Sequence, residues 1–242
     1  MLLNRYTALF IKGFLTGGGT VIPGVSGGTV AVCTGAFKEV LDAVSSIFLH
    51  FSKSTLTLLP FGVGCALGVF AFSLPLSLFT DLYPTLSNTV FCIISLVSLI
   101  LFIRQSIYGR ITKKGYTYVF AGTIVSLCTT LLLSTGYTVS AKGFLTTFVT
   151  GLALALALIL PAISFSYTLL FFGLYEKTID AVAGLDLEFL LPFGASVLLG
   201  VFLFSALVSS IMKKHEIEVY CFACGFVICS LAEIAGKLIF NC

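Results

Sequence analysis

The chain has 242 residues, of which 58% are hydrophobic and only 10% carry charge, and its mean hydropathy is +1.14. Soluble globular domains carry charge on about a quarter of their residues, so this composition excludes a soluble protein and predicts a membrane domain. The net charge of +3 is too small to indicate a nucleic-acid partner. No cleavable signal peptide is expected, because the N-terminal apolar segment lacks a small-residue cleavage pattern.

Long charge-free stretches predict an all-α polytopic membrane protein. A crossing needs about 20 apolar residues, and seven stretches approach or exceed that length: 13–37, 54–80, 82–103, 115–141, 143–175, 189–212 and 219–232. Two of them, 13–37 and 143–175, are interrupted by glycine and proline. We therefore expect about five plain transmembrane helices and two interrupted segments. Most cysteines lie inside the apolar stretches, which favours a role as small packing residues over disulfide bonds. We expect no metal and no cofactor.

The two halves of the sequence resemble each other in a nearly constant register. The matches include proline, serine and aspartate as well as apolar residues: 23–26 with 161–164, 42–44 with 180–182, 58–62 with 190–194, and 68–73 with 200–205. Such self-similarity indicates an internal duplication. It predicts a first repeat over 1–114, a linking transmembrane helix over 115–141 and a second repeat over 142–242.

The positions of the positive charges predict the topology. Basic residues cluster in the loop after the third apolar stretch and again at 213–214, which marks both loops as cytoplasmic. Both loops fall on one side only if each interrupted segment enters and leaves by the same face. We therefore predict two re-entrant helical hairpins, one from each face, and an inverted-repeat transporter. The alternative, in which glycine and proline merely kink two ordinary transmembrane helices, remains open.

The first interrupted segment has the composition of an anion site. It contains three successive glycines and then the run Pro23-Gly-Val-Ser-Gly-Gly-Thr29. A helix that restarts after Pro23 leaves its first N–H groups unpaired, and such a terminus favours phosphate or carboxylate. The second half carries hydroxyl groups at the matching turn. The predicted phosphate-binding residues are Gly24, Ser26, Gly27, Gly28 and Thr29 in the first half, and Ser164, Ser166 and Tyr167 in the second.

Charged residues follow both interrupted segments. They are Lys38, Glu39 and Asp42 in the first half, and Glu176, Lys177 and Asp180 in the second. One interpretation makes the lysines phosphate attractors and the acids gating or proton-linked groups. The other makes all six ordinary interfacial charges that pair along their own helices.

The motifs resemble a known family. The run 23–29, with Leu160-Pro-Ala-Ile-Ser164 and Gly173-Leu-Tyr-Glu176, is similar to the PopT-type polyprenyl-phosphate transporters, and the resemblance covers nearly the whole chain. It implies that the protein moves undecaprenyl phosphate, the lipid carrier of envelope synthesis, from the outer to the inner leaflet of the bacterial cytoplasmic membrane for recycling. The partners it implies are this lipid and the surrounding membrane lipids. A homodimer is an open possibility.

The residues are compatible with two other functions. The same paired turns could serve a transporter or channel for a small soluble anion, which would need walls closed to lipid. A membrane lipid phosphatase would need a histidine nucleophile or metal ligands. It is disfavoured, because the two histidines, His50 and His215, stand at the ends of apolar segments. We therefore expect a transporter and not an enzyme.

Overall fold

A computed structural model describes residues 2–135, 143–161, 163, 165–184 and 186–240. Within these ranges the chain is helical, with turns between the helices and no strand. The helices are α1 (Leu2–Val21), α2 (Gly27–Cys33), α3 (Phe37–Ser45), α4 (Phe51–Leu82), α5 (Pro84–Ser106), α6 (Lys113–Ser134), α7 (Phe144–Ile159), α8 (Phe165–Phe171), α9 (Tyr175–Gly184) and α10 (Leu187–Phe240).

Four of the described helices are long and apolar enough to cross a membrane, namely α4, α5, α6 and α10. Their outer surfaces carry exposed apolar side chains such as Leu67 and Phe70, which suits contact with lipid. Helix α10 bends at His215, where the backbone leaves the helical region (φ −131°, ψ 40°). Its arms, 187–214 and 216–240, each exceed the roughly 20 residues of one crossing. The chain is therefore a multi-pass membrane protein, and a fifth crossing remains the prediction for the bent helix.

Both interrupted segments are broken helices. Helix α1 ends before Pro23 and α2 starts at Gly27, while α7 ends at Ile159 and α8 starts at Phe165. Each short second helix is followed by a glycine with positive φ, Gly35 at 67° and Gly173 at 64°, which side chains with a Cβ rarely adopt. These two glycines occupy matching positions of the predicted repeat.

Matching positions of the repeat also make matching helix contacts. A Cβ on Gly13 of α1 would collide with the Phe61 backbone of α4, and one on Gly151 of α7 would meet Ser196 and the Phe193 carbonyl of α10. Small residues let membrane helices approach closely in this way. The pairs α1 with α4 and α7 with α10 thus pack through the same glycine register. The inversion of one half relative to the other stays a prediction.

The linking helix is described over most of its predicted span and packs against α10. It begins at Lys113 and ends at Ser134, whereas the charge-free stretch predicted 115–141, whose last residues lie outside the described part. It packs along the second arm of α10, where a Cβ on Gly122 would collide with the Phe222 backbone and one on Gly225 with that of Val119. The interaction is close because glycine lies at the crossing on both helices.

Charged groups from distant segments meet at one end of the bundle. Arg5 at the start of α1 contacts Glu39 of α3 at 2.6 Å, so the first broken segment begins and ends near the same place. Arg110, after α5, contacts Glu216 beside the bend of α10 at 3.1 Å. The two basic loops therefore lie together. Re-entry of the two broken segments stays a prediction.

Candidate functional site

The two helix breaks touch each other in the middle of the structure. The Ser26 hydroxyl donates a hydrogen bond of 3.4 Å to the carbonyl of Ile163. A Cβ on Gly28 would stand only 2.8 Å from the Cα of Pro161, so the backbones approach as closely as glycine permits. Residues 138 positions apart in the predicted repeat, Pro23 with Pro161 and Val25 with Ile163, thus belong to facing turns.

A cavity of about 370 Å³ opens beside this contact, and we call it the central cavity. Helices α1 to α4 line it from the first half of the chain, and α7, α8 and α10 line it from the second. Its side-chain hydroxyls come from Thr16, Thr20, Ser26 and Ser205. Its apolar lining includes Phe37, Leu41, Phe61, Ala157, Ile159 and Val201. No charged side chain of the described residues lines it.

The hydroxyls of the central cavity donate hydrogen bonds to carbonyl groups. Thr20 donates to the Gly17 carbonyl at 2.6 Å, and Ser205 donates to the Phe202 carbonyl at 3.1 Å. A hydroxyl has two acceptor lone pairs and one rotatable proton. Each of these two hydroxyls can therefore rotate and donate its proton to an anion. The rotation breaks one hydrogen bond to a carbonyl of the same helix.

The mouth of the central cavity is apolar. Val69 of α4, Leu158 of α7 and Phe165 of α8 line the cavity and are 37%, 48% and 43% exposed. Val69 lies on the same helix as the exposed Phe70 and Phe72. The cavity thus joins polar groups on its inside to an apolar outer rim.

Thr29 is a buried hydroxyl without a partner. The residue is 1% exposed, and its Oγ1 makes no hydrogen bond in the structure. Most buried polar side-chain atoms in proteins are hydrogen-bonded, so this group departs from the rule. It lies three residues after Ser26, which places both on one face of the first turn of α2.

The first predicted helix terminus lacks a side-chain cap. Ser26 occupies the N-cap position of α2, but its side chain makes no capping hydrogen bond and instead contacts the other half. Helices α2 and α8 have seven residues each, too few for a large summed dipole. Gly24 serves a turn, with φ of 78°.

The predicted residues of the second half are only partly described. Ser164 lies outside the described residues, as do the side chains of Ser166, Tyr167 and Glu176. Lys177 is described, and its ammonium lies 4.6 Å from the ring centre of Phe189, within reach of a cation–π interaction. Asp180 is exposed.

The charges of α3 do not pair along their own helix. Lys38 binds Glu216 of α10 at 2.9 Å, and Glu39 binds Arg5 of α1. Asp42 accepts a hydrogen bond of 3.0 Å from Ser209 of α10. The interpretation of self-paired surface charge is therefore wrong for these three residues. None of them lines the central cavity.

Lys38 instead lines a second cavity of about 400 Å³, which we call the basic pocket. Its polar residues are Thr34, Lys38, Gln105, Ser106, Arg110, Glu216 and Tyr220. Sequence reasoning used Arg110 only as a marker of topology and did not single out Glu216. The hydrogen bond and negative charge of Glu216 raise the pKa of the Arg110 guanidinium above its ordinary value. No sequence signal connected these residues, because they come from three separate segments.

Comparisons with known proteins agree with one another. The family model described as undecaprenyl phosphate translocase-like (VCA0040-like) matches residues 16–237. A polyprenyl-phosphate transporter of Vibrio cholerae is 26% identical over 95% of this chain and 78% of its own length. One of Staphylococcus aureus is 30% identical over 93% of this chain and 84% of its own. No solved structure gives a significant match. The matched span contains both helix breaks and both cavities, and this chain belongs to the undecaprenyl phosphate translocase-like family.

Proposed function

We propose that this protein carries undecaprenyl phosphate from the outer to the inner leaflet of the bacterial cytoplasmic membrane, where the lipid is reused in envelope synthesis. The observation that carries the proposal is the central cavity, which has hydroxyls within and an exposed apolar rim. Family membership and the names of the two relatives support a polyprenyl phosphate as the substrate.

The phosphate would bind where the helix breaks meet. Ser26 and Thr20 present hydroxyls there, and the glycines at 27 and 28 leave the backbone N–H groups accessible. The unpartnered hydroxyl of Thr29 belongs to the same first turn of α2 but does not line the cavity, so we propose that it reaches the phosphate when the helix breaks move. The prenyl tail would leave through the mouth at Val69, Leu158 and Phe165 into the lipid. A cavity with walls of this kind suits an amphiphile better than a small soluble anion, which gains nothing from an apolar exit.

Movement of one half against the other would alternate access to the site. The first broken segment begins and ends at the same end of the bundle, as the contact of Arg5 with Glu39 indicates, which supports re-entry. At the site, the Ser26 hydroxyl of the first break bonds to the Ile163 carbonyl of the second at 3.4 Å, and this bond would break as the two halves move apart.

Phosphatase chemistry has less support. Neither His50 nor His215 lines the central cavity, and among the described residues no group of three or more histidine, cysteine or acidic side chains could hold a metal ion. Names of relatives also indicate transport. A carrier that leaves the phosphate ester intact is therefore the proposal.

A single tryptophan at the cavity mouth would separate a lipid carrier from a soluble-anion carrier. The chain contains no tryptophan, so Val69→Trp would supply the only indole emission. We expect undecaprenyl phosphate, but not inorganic phosphate, to shift that emission to shorter wavelength, because the tail displaces water and detergent from the mouth. Fluorescence titration of the purified protein measures this.

The matched control for that experiment is Leu67→Trp. Leu67 is 48% exposed on the same helix but does not line the cavity, and its emission should stay unchanged. A response of Val69→Trp to inorganic phosphate alone would favour the soluble-anion alternative. Equal responses of both variants to the lipid would show that the mouth has no special role.

Removal of the Thr29 hydroxyl should weaken lipid binding without weakening the fold. Thr29→Val keeps the shape and deletes an unpaired buried hydroxyl, whose burial costs about 1–3 kcal/mol, so stability should hold or rise. A hydrogen bond to a charged group contributes about 1.5–3 kcal/mol, so the affinity for undecaprenyl phosphate should fall by about tenfold or more. Binding and thermal unfolding measured on the same preparation test both expectations.

The control here is Thr150→Val. Thr150 is also fully buried, but its hydroxyl is bonded to the Thr146 carbonyl at 2.8 Å. This variant should lose a little stability and keep its affinity. Unchanged affinity in Thr29→Val would remove Thr29 from the phosphate site.

A further inference from the structure

Among the residues that the structure describes, the central cavity offers hydroxyls but no cation, and the basic pocket offers cations nearby. Of these residues, Phe37 is the one that lines both cavities, and it is 7% exposed. On one side of Phe37 lie α1, α4 and the helix breaks, and on the other lie the ends of α2 and α5 and the bend of α10. A group that passes this ring moves from the central cavity into the basic pocket.

One carboxylate holds both cations of the basic pocket. Glu216 contacts Lys38 at 2.9 Å and also forms a two-pronged pair with Arg110, with donor distances of 3.1 and 3.3 Å. Lys38 and Arg110 are about half exposed, and Glu216 is 20% exposed. The three groups together carry one net positive charge. A phosphate monoester, with a charge of about −1.5 to −2, matches the two cations better than one carboxylate does.

An unpartnered buried hydroxyl lines the same pocket. Ser106 is 2% exposed, its Oγ has no hydrogen-bond partner, and it lies at the pocket wall beside Gln105 and Thr34. Buried hydroxyls are normally satisfied. This observation is independent of the ion pairs, and it indicates a ligand that supplies the missing partner.

We infer that the basic pocket is a second phosphate-monoester site. The phosphate displaces Glu216 from Lys38 and Arg110 and accepts a hydrogen bond from the Ser106 hydroxyl. Phosphate oxygens suit the Arg110 fork as a carboxylate does. Arg110 belongs to a basic loop that the positive-inside rule assigns to the cytoplasm, so this is the side of release. The ligand is either the lipid headgroup or free phosphate, and the first case rests on the proposed function.

Native cysteines allow each cavity to be probed separately. Cys33 lines the basic pocket and Cys65 lines the central cavity, and both are free and half-buried. Two full-length variants, each keeping one of these cysteines and carrying alanine at the others, would be purified and treated with a small neutral thiol reagent. The rate of modification is measured with inorganic phosphate, with farnesyl phosphate, and with gluconate at the same ionic strength.

We expect a phosphate ligand to slow the modification of Cys33, while gluconate has no effect. Protection by inorganic phosphate identifies a site open to free phosphate, and protection by farnesyl phosphate alone identifies the lipid headgroup. Either result supports the site. Absence of protection by both ligands overturns it.

Substitutions in the basic pocket should change the protection of Cys33 in opposite directions. Arg110→Gln should weaken protection of Cys33 about tenfold, since a charged hydrogen bond is lost, and Arg110→Lys should restore part of it. Glu216→Gln should instead strengthen protection several-fold, because the internal competitor loses its charge. A merely structural ion pair predicts that both substitutions weaken binding alike, and that result overturns the inference.

Arg5→Gln is the matched control for these substitutions. Arg5 forms an ion pair of similar exposure with Glu39 but lines neither cavity, so it should leave the protection of Cys33 unchanged. The same measurements distinguish a failure of the basic pocket from a failure of the proposed phosphate site in the central cavity. Protection of Cys65 without Cys33 overturns the basic pocket alone, and protection of Cys33 without Cys65 supports the basic pocket and contradicts the central phosphate site.

Discussion

Transport of undecaprenyl phosphate should be lost altogether in the variant Gly28→Leu. A Cβ at this position would stand 2.8 Å from the Cα of Pro161 and 3.3 Å from the carbonyl oxygen of Leu160. Both contacts are backbone, which cannot rotate away as a side chain does. The larger side chain therefore forces the two helix breaks apart and enters the space that we assign to the phosphate. Flux of a labelled lipid across reconstituted vesicles measures the effect.

The loss should come from the site and not from general unfolding. Gly194→Ala is the control, because nothing lies within 4 Å of a Cβ at Gly194, and it should transport as the unmodified protein does. Gly28→Ala should give an intermediate rate, since the added methyl requires a shift of the opposing turn. Normal flux in Gly28→Leu, with the protein folded, would contradict our placement of the phosphate.

The second large effect is on folding and concerns Gly17. A Cβ added at Gly17 would collide with the backbone carbonyl of Cys65. This carbonyl belongs to the contact between α1 and α4, which packs the first half together. Gly17→Val should lower the free energy of unfolding by at least the 1–3 kcal/mol usual for overpacking, since a backbone carbonyl cannot repack. A fluorescent maleimide that reports the exposure of buried cysteines on heating measures this, because Cys221 and Cys224 are buried.

Gly62→Ala provides the comparison for Gly17. It lies on α4, one of the two helices concerned, but a Cβ there meets nothing within 4 Å. Its unfolding temperature should stay close to that of the unmodified protein or rise slightly, since alanine favours a helix over glycine. Equal stability of Gly17→Val and Gly62→Ala would show that α1 and α4 can separate without cost.

The sequence by itself determined the class of the protein and the places where its helices break. Low charge and apolar stretches of about 20 residues indicate a helical membrane protein, since a continuous apolar run of that length crosses lipid as a helix whose backbone groups pair within it. Glycine and proline around Pro23 and Pro161 disfavour continuous helix, and both breaks are present. Local chemistry suffices for such features, because each depends on neighbours along the chain.

Only the tertiary structure decided which polar groups meet. The sequence suggested that Lys38, Glu39 and Asp42 act near the phosphate or pair with each other, but they pair with Glu216, Arg5 and Ser209. Arg110 and Ser106 join Lys38 around one pocket, although more than 60 positions separate them from it in the chain. Side-chain partners in a bundle depend on helix packing and on the bend at His215, and neither property is encoded within a short run of residues.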